Sequence, residues 1–197
     1  KSSQMKKVFV TPSLVCASFA SQAQDYYQSV GVGLFGAINH VVYTSPLEDV
    51  DSRLIGSMPL ITYKACLGFD VSRKQTFGLT AYPSVGGTIS TAGSNFGFAL
   101  PVAAEMYFGD VDDTHFKLGL GVTYARVTLS SAFYTEISRV FGPTLGIGYQ
   151  TEIKDRLIEI NLNYTYGLTA SPSIPSGATV TKDVNHGYSI QFLYCLD

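Results

Sequence analysis

The chain carries little charge and no tryptophan. Asp, Glu, Lys and Arg make up 14% of its 197 residues, and three cysteines are too few for a small disulfide-stabilised domain. No run reaches the roughly 18 consecutive apolar residues of a membrane-spanning helix, although 46% of the residues are hydrophobic. The low charge argues against a soluble domain with a highly solvated surface. The apolar residues are also not gathered in one spanning helix, so their spacing along the chain has to be examined.

Basic residues are also scarce, at 13 against 15 acidic ones. Removal of the first 23 residues would take away Lys1, Lys6 and Lys7 and leave 10 basic residues against 15 acidic, a net charge of about −5. A phosphate backbone is bound by clustered Lys and Arg, and an acidic chain without such a cluster does not fit it. Nucleic acid is therefore excluded as a partner.

Residues 1–23 are typical of a signal peptide with its leader. A basic start at Met5-Lys6-Lys7 precedes a mostly apolar stretch, and Ser21-Gln22-Ala23 supplies small residues at a cleavage site. We expect cleavage after Ala23, which leaves residues 24–197 as one domain. A disordered leader is the alternative interpretation of the same residues.

Eight stretches of the chain alternate apolar side chains with small or polar ones. In the clearest, Phe116, Leu118, Leu120, Val122 and Tyr124 share one face, and the residues between them, from Lys117 to Ala125, share the other. A period of two is that of a β-strand. The predicted strands cover roughly 28–43, 59–71, 76–85, 94–108, 114–128, 134–151, 156–168 and 182–195.

The composition of the two faces indicates which solvent each one meets. In a soluble barrel the non-apolar face would carry many Lys and Glu, but here it is mostly Gly, Ala, Ser, Thr and Asn, which suit a narrow interior. The apolar face is continuous and rich in aromatic residues, as expected for contact with acyl chains. The fold class is therefore all-β: a closed, antiparallel, up-and-down, eight-stranded transmembrane β-barrel. A soluble lipocalin-like barrel is the alternative.

The links between the predicted strands are mostly short and long in turn. Tight turns at 72–75, 109–113 and 152–155 alternate with longer connections at 44–58, 86–93 and 169–181, and the link at 129–133 is the short exception. Bacterial barrels have short periplasmic turns and longer external loops. The tight turns are therefore predicted to face the periplasm.

These strands, this turn asymmetry and the last strand, Tyr188-Ser189-Ile190-Gln191-Phe192-Leu193-Tyr194, resemble the small outer-membrane β-barrel family of OmpA-like and OmpX-like proteins. The resemblance covers residues 24–197. It implies an integral protein of the bacterial outer membrane, inserted by the barrel-assembly machinery. That machinery reads an aromatic residue at the end of the family's last strand; here Cys195-Leu196-Asp197 follow Tyr194.

Five charged residues have the parity of the barrel interior, and we expect them to form lumen ion pairs because isolated charges are costly to bury. Glu105 and Lys117 flank one tight turn and are the preferred pair. An eight-stranded barrel has room for side chains and not for a wide channel. A plug of polar side chains is favoured over a gated ion path; its members are Lys64, Asp70, Glu105, Lys117 and Glu159.

Arg126 and Arg139 have lipid-facing parity near the outer ends of neighbouring predicted strands. A guanidinium at that level can bind phosphate bidentately, and lipopolysaccharide carries such phosphates in its head group. The alternative is that both side chains extend into water past the apolar surface. The sequence leaves the two interpretations open.

A rival class is an enzyme that modifies lipid A. Its candidates are His40 and His186 near the outer ends of the first and last strands, with Asp183 and Ser189 nearby. Ser189 has the opposite parity to His186, so no nucleophile with an aligned base is evident. No spacing of a metal or cofactor site is present either.

The sequence therefore predicts a non-enzymatic outer-membrane barrel that contributes to envelope integrity and surface interaction, with its lumen plugged by polar side chains. A lipid A modifying enzyme and a small subunit of a larger outer-membrane complex are the alternatives. The loops are interpreted as solvated connectors in preference to host-binding segments.

Overall fold

The computed structural model describes residues 25–44, 49–90, 93–109, 114–130, 135–154, 156–168 and 179–196. The predicted signal peptide at 1–23 lies outside these ranges. Within them the chain forms β1 (Asp25–Thr44), β2 (Asp49–Ser72), β3 (Gln75–Ala81), β4 (Ser84–Ser90), β5 (Gly93–Gly109), β6 (His115–Ser130), β7 (Thr135–Glu152), β8 (Leu157–Gly167) and β9 (Thr179–Leu196).

Each strand pairs antiparallel with its neighbours, and the sheet closes on itself. Strand β1 pairs with β2 on one side, where Val30 lies opposite Tyr63, and with β9 on the other, where Val30 lies opposite Tyr194. Strands β3 and β4 share one position between β2 and β5. The molecule is therefore the predicted eight-stranded antiparallel barrel.

Pro83 is the reason that the third position holds two strands. Proline has no N–H to donate to a sheet ladder, so regular pairing stops at Tyr82-Pro83. The gap is bridged by the Tyr63 N–H, which donates to the Pro83 carbonyl at 3.0 Å, and by the Tyr82 N–H, which donates to the Pro101 carbonyl at 2.9 Å. Pairing resumes in β4 and continues to Ser90 opposite Gly93. The predicted loop at 86–93 is therefore largely strand.

The predicted long loop at 44–58 is also wrong. Strands β1 and β2 remain in register as far as Thr44 opposite Asp49, so only 45–48 connect them. The apolar part of the hairpin fixes the register of β1 and β2. Each further antiparallel pair then satisfies two more backbone groups. Outside the bilayer, polar side chains do not disfavour this extension of the strands.

The barrel has two ends, which we name by what they carry. The terminal end holds Asp25, Leu196 and the turns between β2 and β3, β5 and β6, and β7 and β8; the loop end holds the remaining connections. Turns at the terminal end are tight, as predicted. At one of them Ile153 and Arg156 exchange backbone hydrogen bonds of 2.8 and 3.2 Å, and Lys154 takes a φ of 54°, as two-residue hairpin turns require.

The predicted parity of the strands holds. On β6 the apolar residues from Phe116 to Tyr124 are between 37% and 66% exposed, whereas Lys117, Thr123 and Ala125 are buried in the lumen. A continuous apolar belt of this extent is unknown on soluble monomers, whose largest apolar patches reach only about 300–600 Å². None of the described residues forms a helix of the length and hydropathy needed to cross a bilayer.

Candidate functional site

The lumen is divided into two layers. Toward the loop end, inward side chains form an apolar layer, and the buried polar residue Ser189 on β9 lies opposite Phe35 within it. Toward the terminal end, the inward side chains are polar or charged. The apolar layer was not predicted; it consists of Phe35, Ala37, Met58, Leu60, Ala99, Ala125, Val127 and Val140.

An ion-pair cluster forms the centre of the polar layer. Glu159 on β8 forms one ion pair with Lys64 on β2 and a second with Lys117 on β6. Lys117 Nζ lies 2.5 Å from Glu159 Oε1. Lys117 Nζ also lies 3.0 Å from Glu105 Oε1 on β5. Two lysines and two glutamates balance in charge, and all four are almost completely buried.

Tyrosine and threonine hydroxyls complete this cluster. Glu105 Oε1 accepts from the Tyr82 hydroxyl at 2.5 Å, and its Oε2 accepts from the Tyr107 hydroxyl at 2.5 Å and from Thr80 at 2.8 Å. Lys117 Nζ also contacts the Tyr82 hydroxyl and lies 5.0 Å from the centre of that ring. A buried carboxylate needs its lone pairs satisfied, and here both oxygens are.

Sequence reasoning found the charges of this cluster and missed its hydroxyl donors. The inward parity of Tyr107 next to Glu105 was available as a signal, because residues two apart on a strand share a face. Tyr82 was available by the same signal, because the inward parity of Thr80 and Ser84 continues through it although regular pairing stops there.

Asp70 is the exception among the predicted lumen charges. It has inward parity but lies near the end of β2, two residues before Ser72. Its side chain is exposed there, and its Oδ1 accepts a hydrogen bond from Thr76 Oγ1 at 3.0 Å. The prediction of a buried lumen site is wrong for Asp70 because parity sets the face of a strand, whereas depth along the strand sets its contact with water.

A cavity of about 150 Å³ lies below the cluster, at the terminal end. It has room for about five waters at roughly 30 Å³ each. Lys64, Tyr107, His115, Gln150 and Cys195 are among its lining residues. His115 is buried there, edge-on to the Tyr107 ring at 5.1 Å. The cavity therefore borders the charged cluster on the side of the terminal end, and the apolar layer separates the cluster from the loop end.

The two described cysteines are both free. Cys66 is buried with its Sγ 3.4 Å from the Tyr107 hydroxyl, and Cys195, half-buried at the cavity, donates to Gln150 Oε1 at 3.3 Å. They lie on β2 and β9, which are separated by β1, so no disulfide joins them.

Arg126 and Arg139 lie directly opposite each other in the register of β6 and β7, and both side chains are exposed on the outer surface. Just below them, at the border of the apolar belt, are the aromatic side chains of Phe98, Tyr124 and Phe141. The predicted pair of residues therefore stands together at one level of the barrel wall.

The candidate histidines do not assemble with a serine. His186 faces outward, stacks on Tyr164 and lies edge-on to Tyr166, while Ser189 faces the lumen and accepts from Asn163 at 3.2 Å. His40 Nε2 lies 2.9 Å from Asp51 Oδ1 on the exposed hairpin of β1 and β2. Among the described residues, Asp51 orients His40 and the Tyr164 hydroxyl, 2.8 Å from His186 Nδ1, orients His186, but neither imidazole has an aligned nucleophile.

Comparison with solved structures places the fold among outer-membrane barrels. OprG from Pseudomonas aeruginosa is similar over 89% of this chain and 97% of its own, at 13% identity and a TM-score of 0.55. Neisserial surface protein A matches over 83% and 96% of the two chains at 11% identity, with a TM-score of 0.42. The N-terminal barrel of Pseudomonas aeruginosa OprF matches over 82% and 96% at 12% identity, with a TM-score of 0.41.

No protein family model matches the chain, and no curated protein matches it. At such identities the similarity to OprG concerns the fold alone. The chain therefore has the fold of the small eight-stranded outer-membrane β-barrels.

Proposed function

We propose that the chain is an integral, non-enzymatic protein of the bacterial outer membrane that contributes to envelope integrity and presents its loop end to the outside. The observation that carries this proposal is the combination of an apolar outer belt with a closed interior. The apolar belt fits contact with a bilayer. The closed interior argues against the transport of solutes as the main function.

The belt has the height that an outer membrane requires. On β6 it extends from Phe116 to Tyr124, eight residue steps or about 27 Å along the strand. At the usual strand tilt of about 35–45° this corresponds to roughly 20 Å of height, close to the apolar band of such barrels. Tyr149 and Tyr194 toward the terminal end and Tyr124 and Tyr166 toward the loop end supply the interfacial aromatics.

The lumen supports a closed barrel for two independent reasons. The apolar layer around Phe35, Met58 and Leu60 offers few partners to an ion or to water. Below it, Lys64, Lys117 and Glu159 are fixed by mutual ion pairs. An ion crossing the barrel would have to displace both layers.

Orientation follows from the turns. Short turns and both chain ends of the barrel lie at the terminal end, which we assign to the periplasm after signal peptide removal and insertion by the barrel-assembly machinery. The loop end then meets the outer leaflet, where the arginine pair contacts lipopolysaccharide.

The test combines two measurements on protein extracted from the outer membrane. We expect the unboiled protein to migrate differently from the boiled protein in a detergent gel, and planar bilayers containing it to show no steady ion conductance. Absence of the heat-dependent shift would contradict the proposed barrel. Stable single-channel conductance steps would contradict the closed lumen and indicate a pore.

One observation favours a second candidate, a lipid A modifying enzyme. His40 is held by Asp51 at the loop end, in the arrangement that orients a general base. The mass profile of lipid A from cells with and without the gene decides between the two. An unchanged profile excludes the enzyme, and a change that His40→Ala abolishes establishes it.

A further inference from the structure

The structure points to a binding site for one phosphorylated, multiply acylated lipid of the outer leaflet along strands β6 and β7. We infer that its phosphate binds between Arg126 and Arg139 and that its acyl chains follow the barrel wall to an apolar groove below them. This lipid strip, defined by Arg126, Arg139 and the groove around Leu120 and Leu145, rests on the proposed function and names its lipid partner.

The head-group end of the strip is formed by two opposed guanidinium groups. Arg126 and Arg139 are a cross-strand pair, so their Cβ atoms lie roughly 4.5–5.5 Å apart. A phosphate that reached both guanidinium groups would gain two charge-assisted contacts. Arginine suits this role because its planar fork can donate two hydrogen bonds to one phosphate.

The backbone beneath Arg139 is anchored from inside the lumen. Asn185 on β9 is fully buried, and its Nδ2 donates to the Arg139 carbonyl at 2.5 Å. Next to it, Leu168 N–H donates to the Phe141 carbonyl at 2.7 Å, beyond the last paired residues of β7 and β8. The strand that carries one guanidinium is thus held although its own ladder has ended.

Aromatic side chains lie directly under the arginines. Phe98 is the cross-strand partner of Arg126, its ring lies 5.6 Å from that of Tyr124, and Tyr124 is opposite Phe141. Aromatic residues prefer the boundary between head groups and acyl chains. The arginines therefore stand at the level where a lipid phosphate would be found.

The tail end of the strip is a groove in the apolar belt. It encloses about 550 Å³ between the side chains of β3, β5, β6 and β7. Its floor is Ala104, which is smaller than the outward residues around it, Phe77, Met106, Phe108, Leu118, Leu120, Leu145 and Ile147. The volume falls in the range of about 300–1,000 Å³ that is usual for sites of small molecules.

The spacing between the two ends matches one leaflet. Leu120 lies six residues from Arg126 on β6, and Leu145 lies six residues from Arg139 on β7, about 20 Å along each strand. At a tilt of about 35–45° this is roughly 14–16 Å of depth. Half of a hydrocarbon core of about 30 Å is the same distance.

This match selects the occupant. A cationic pair at the border of the belt and an apolar groove one leaflet deeper are complementary to an amphiphile with an anionic head and chains of that length. A soluble peptide would not reach the groove, and free phosphate would use only the arginines. The occupant is therefore a lipid, and lipopolysaccharide has the required phosphates and acyl chains.

The experiment measures lipid retained by the full-length protein, purified from outer membranes in mild detergent, by native mass spectrometry. The probes are deep-rough lipopolysaccharide, the same lipid after phosphatase treatment, and inorganic phosphate as competitor. We expect the double variant Arg126→Gln/Arg139→Gln to retain at least tenfold less intact lipopolysaccharide, and the wild type to retain at least tenfold less of the dephosphorylated lipid.

Matched variants separate this site from general surface effects. Arg156→Gln removes an exposed arginine at the terminal end and should leave retention unchanged. Ala104→Leu fills the groove floor and should reduce retention several-fold, whereas Val32→Leu, an outward change on β1 away from the groove, should not.

Several outcomes would overturn the inference. Equal retention by the double variant and the wild type means that both arginines simply extend into water, and equal loss with Arg156→Gln means non-specific charge. Full displacement by millimolar inorganic phosphate means a phosphate site without lipid, and a dimer abolished by Ala104→Leu means that a second copy fills the groove. The heat-dependent gel shift is recorded on each sample: if it persists while retention is unaffected, this inference fails and the proposed barrel function stands.

Discussion

Lys117 and Glu159 form an ion pair between β6 and β8, two strands that are not neighbours, with Nζ 2.5 Å from Oε1. Glu159 is completely buried and also receives Lys64. Glu159 thus pairs with both lysines of the cluster, whereas Glu105 pairs with Lys117 alone, so we expect Glu159 to contribute more than Glu105 to the stability of the lumen.

We therefore expect Glu159→Ala to lower the free energy of unfolding by about 3–5 kcal/mol, because it leaves two buried ammonium groups without their shared partner. The folded fraction is measured as the unboiled gel band during a urea titration in lipid vesicles. Glu152→Ala is the control: that side chain is exposed at the terminal end, and its removal should change stability by no more than about 0.5 kcal/mol. Equal effects of the two variants would show that the cluster carries no special stability.

Tyr107→Phe tests the hydroxyl donors. The change removes the hydrogen bond to Glu105 Oε2 and the contact with Cys66, with almost no loss of volume. We expect a loss of about 1.5–3 kcal/mol, the usual contribution of a hydrogen bond to a charged group, while Thr80 continues to donate to Glu105 Oε2. Tyr149→Phe, on the outer surface, is the matched change, and the prediction fails if it destabilises the barrel as much.

The cavity at the terminal end predicts different reactivities for the two lumen thiols. Cys195 lines the cavity and is half-buried, whereas Cys66 has no exposed surface. A small maleimide added to the folded barrel should modify Cys195 and leave Cys66 intact, as mapped on peptides by mass spectrometry. Boiled protein should be labelled at both. Protection of Cys195 in the folded state would mean that the cavity does not open to solvent.

Leu120→Arg tests the contact between the belt and the hydrocarbon. Leu120 is 66% exposed and lies near the middle of the belt, where an arginine costs about 2–4 kcal/mol. Leu196→Arg, at the terminal end, should cost only about 0–1 kcal/mol because the side chain reaches the interface. The two variants are compared by urea titration in vesicles. A soluble protein would tolerate both equally.

The alternation of the sequence was sufficient to predict the barrel and the depth of its charged cluster, since parity and turn positions place Glu105 and Lys117 on one face at one height. It failed where two apolar residues are adjacent. Leu34 faces outward and Phe35 inward, and the sequence does not distinguish them. Met58 was assigned to a loop, so the apolar layer could not be foreseen.

Strand length was the other failure. The length of a hairpin beyond the bilayer depends on backbone pairing, which side-chain patterns report only weakly. The site on the outer wall was the easier case: Arg126 and Arg139 occupy outward positions of two neighbouring strands, and the short link between those strands brings them opposite each other.

The bridging position of Glu159 has a consequence for assembly. Its two lysines come from β2 and β6, so the cluster of Lys64, Lys117, Glu105 and Glu159 balances in charge only when Lys64 and Glu159, 95 residues apart, have already met. A partly formed sheet without β2 would bring an uncompensated negative charge into the hydrocarbon core of the bilayer. The free energy of such an intermediate is high. Closure of the barrel and charge balance in its lumen should therefore occur as one cooperative event.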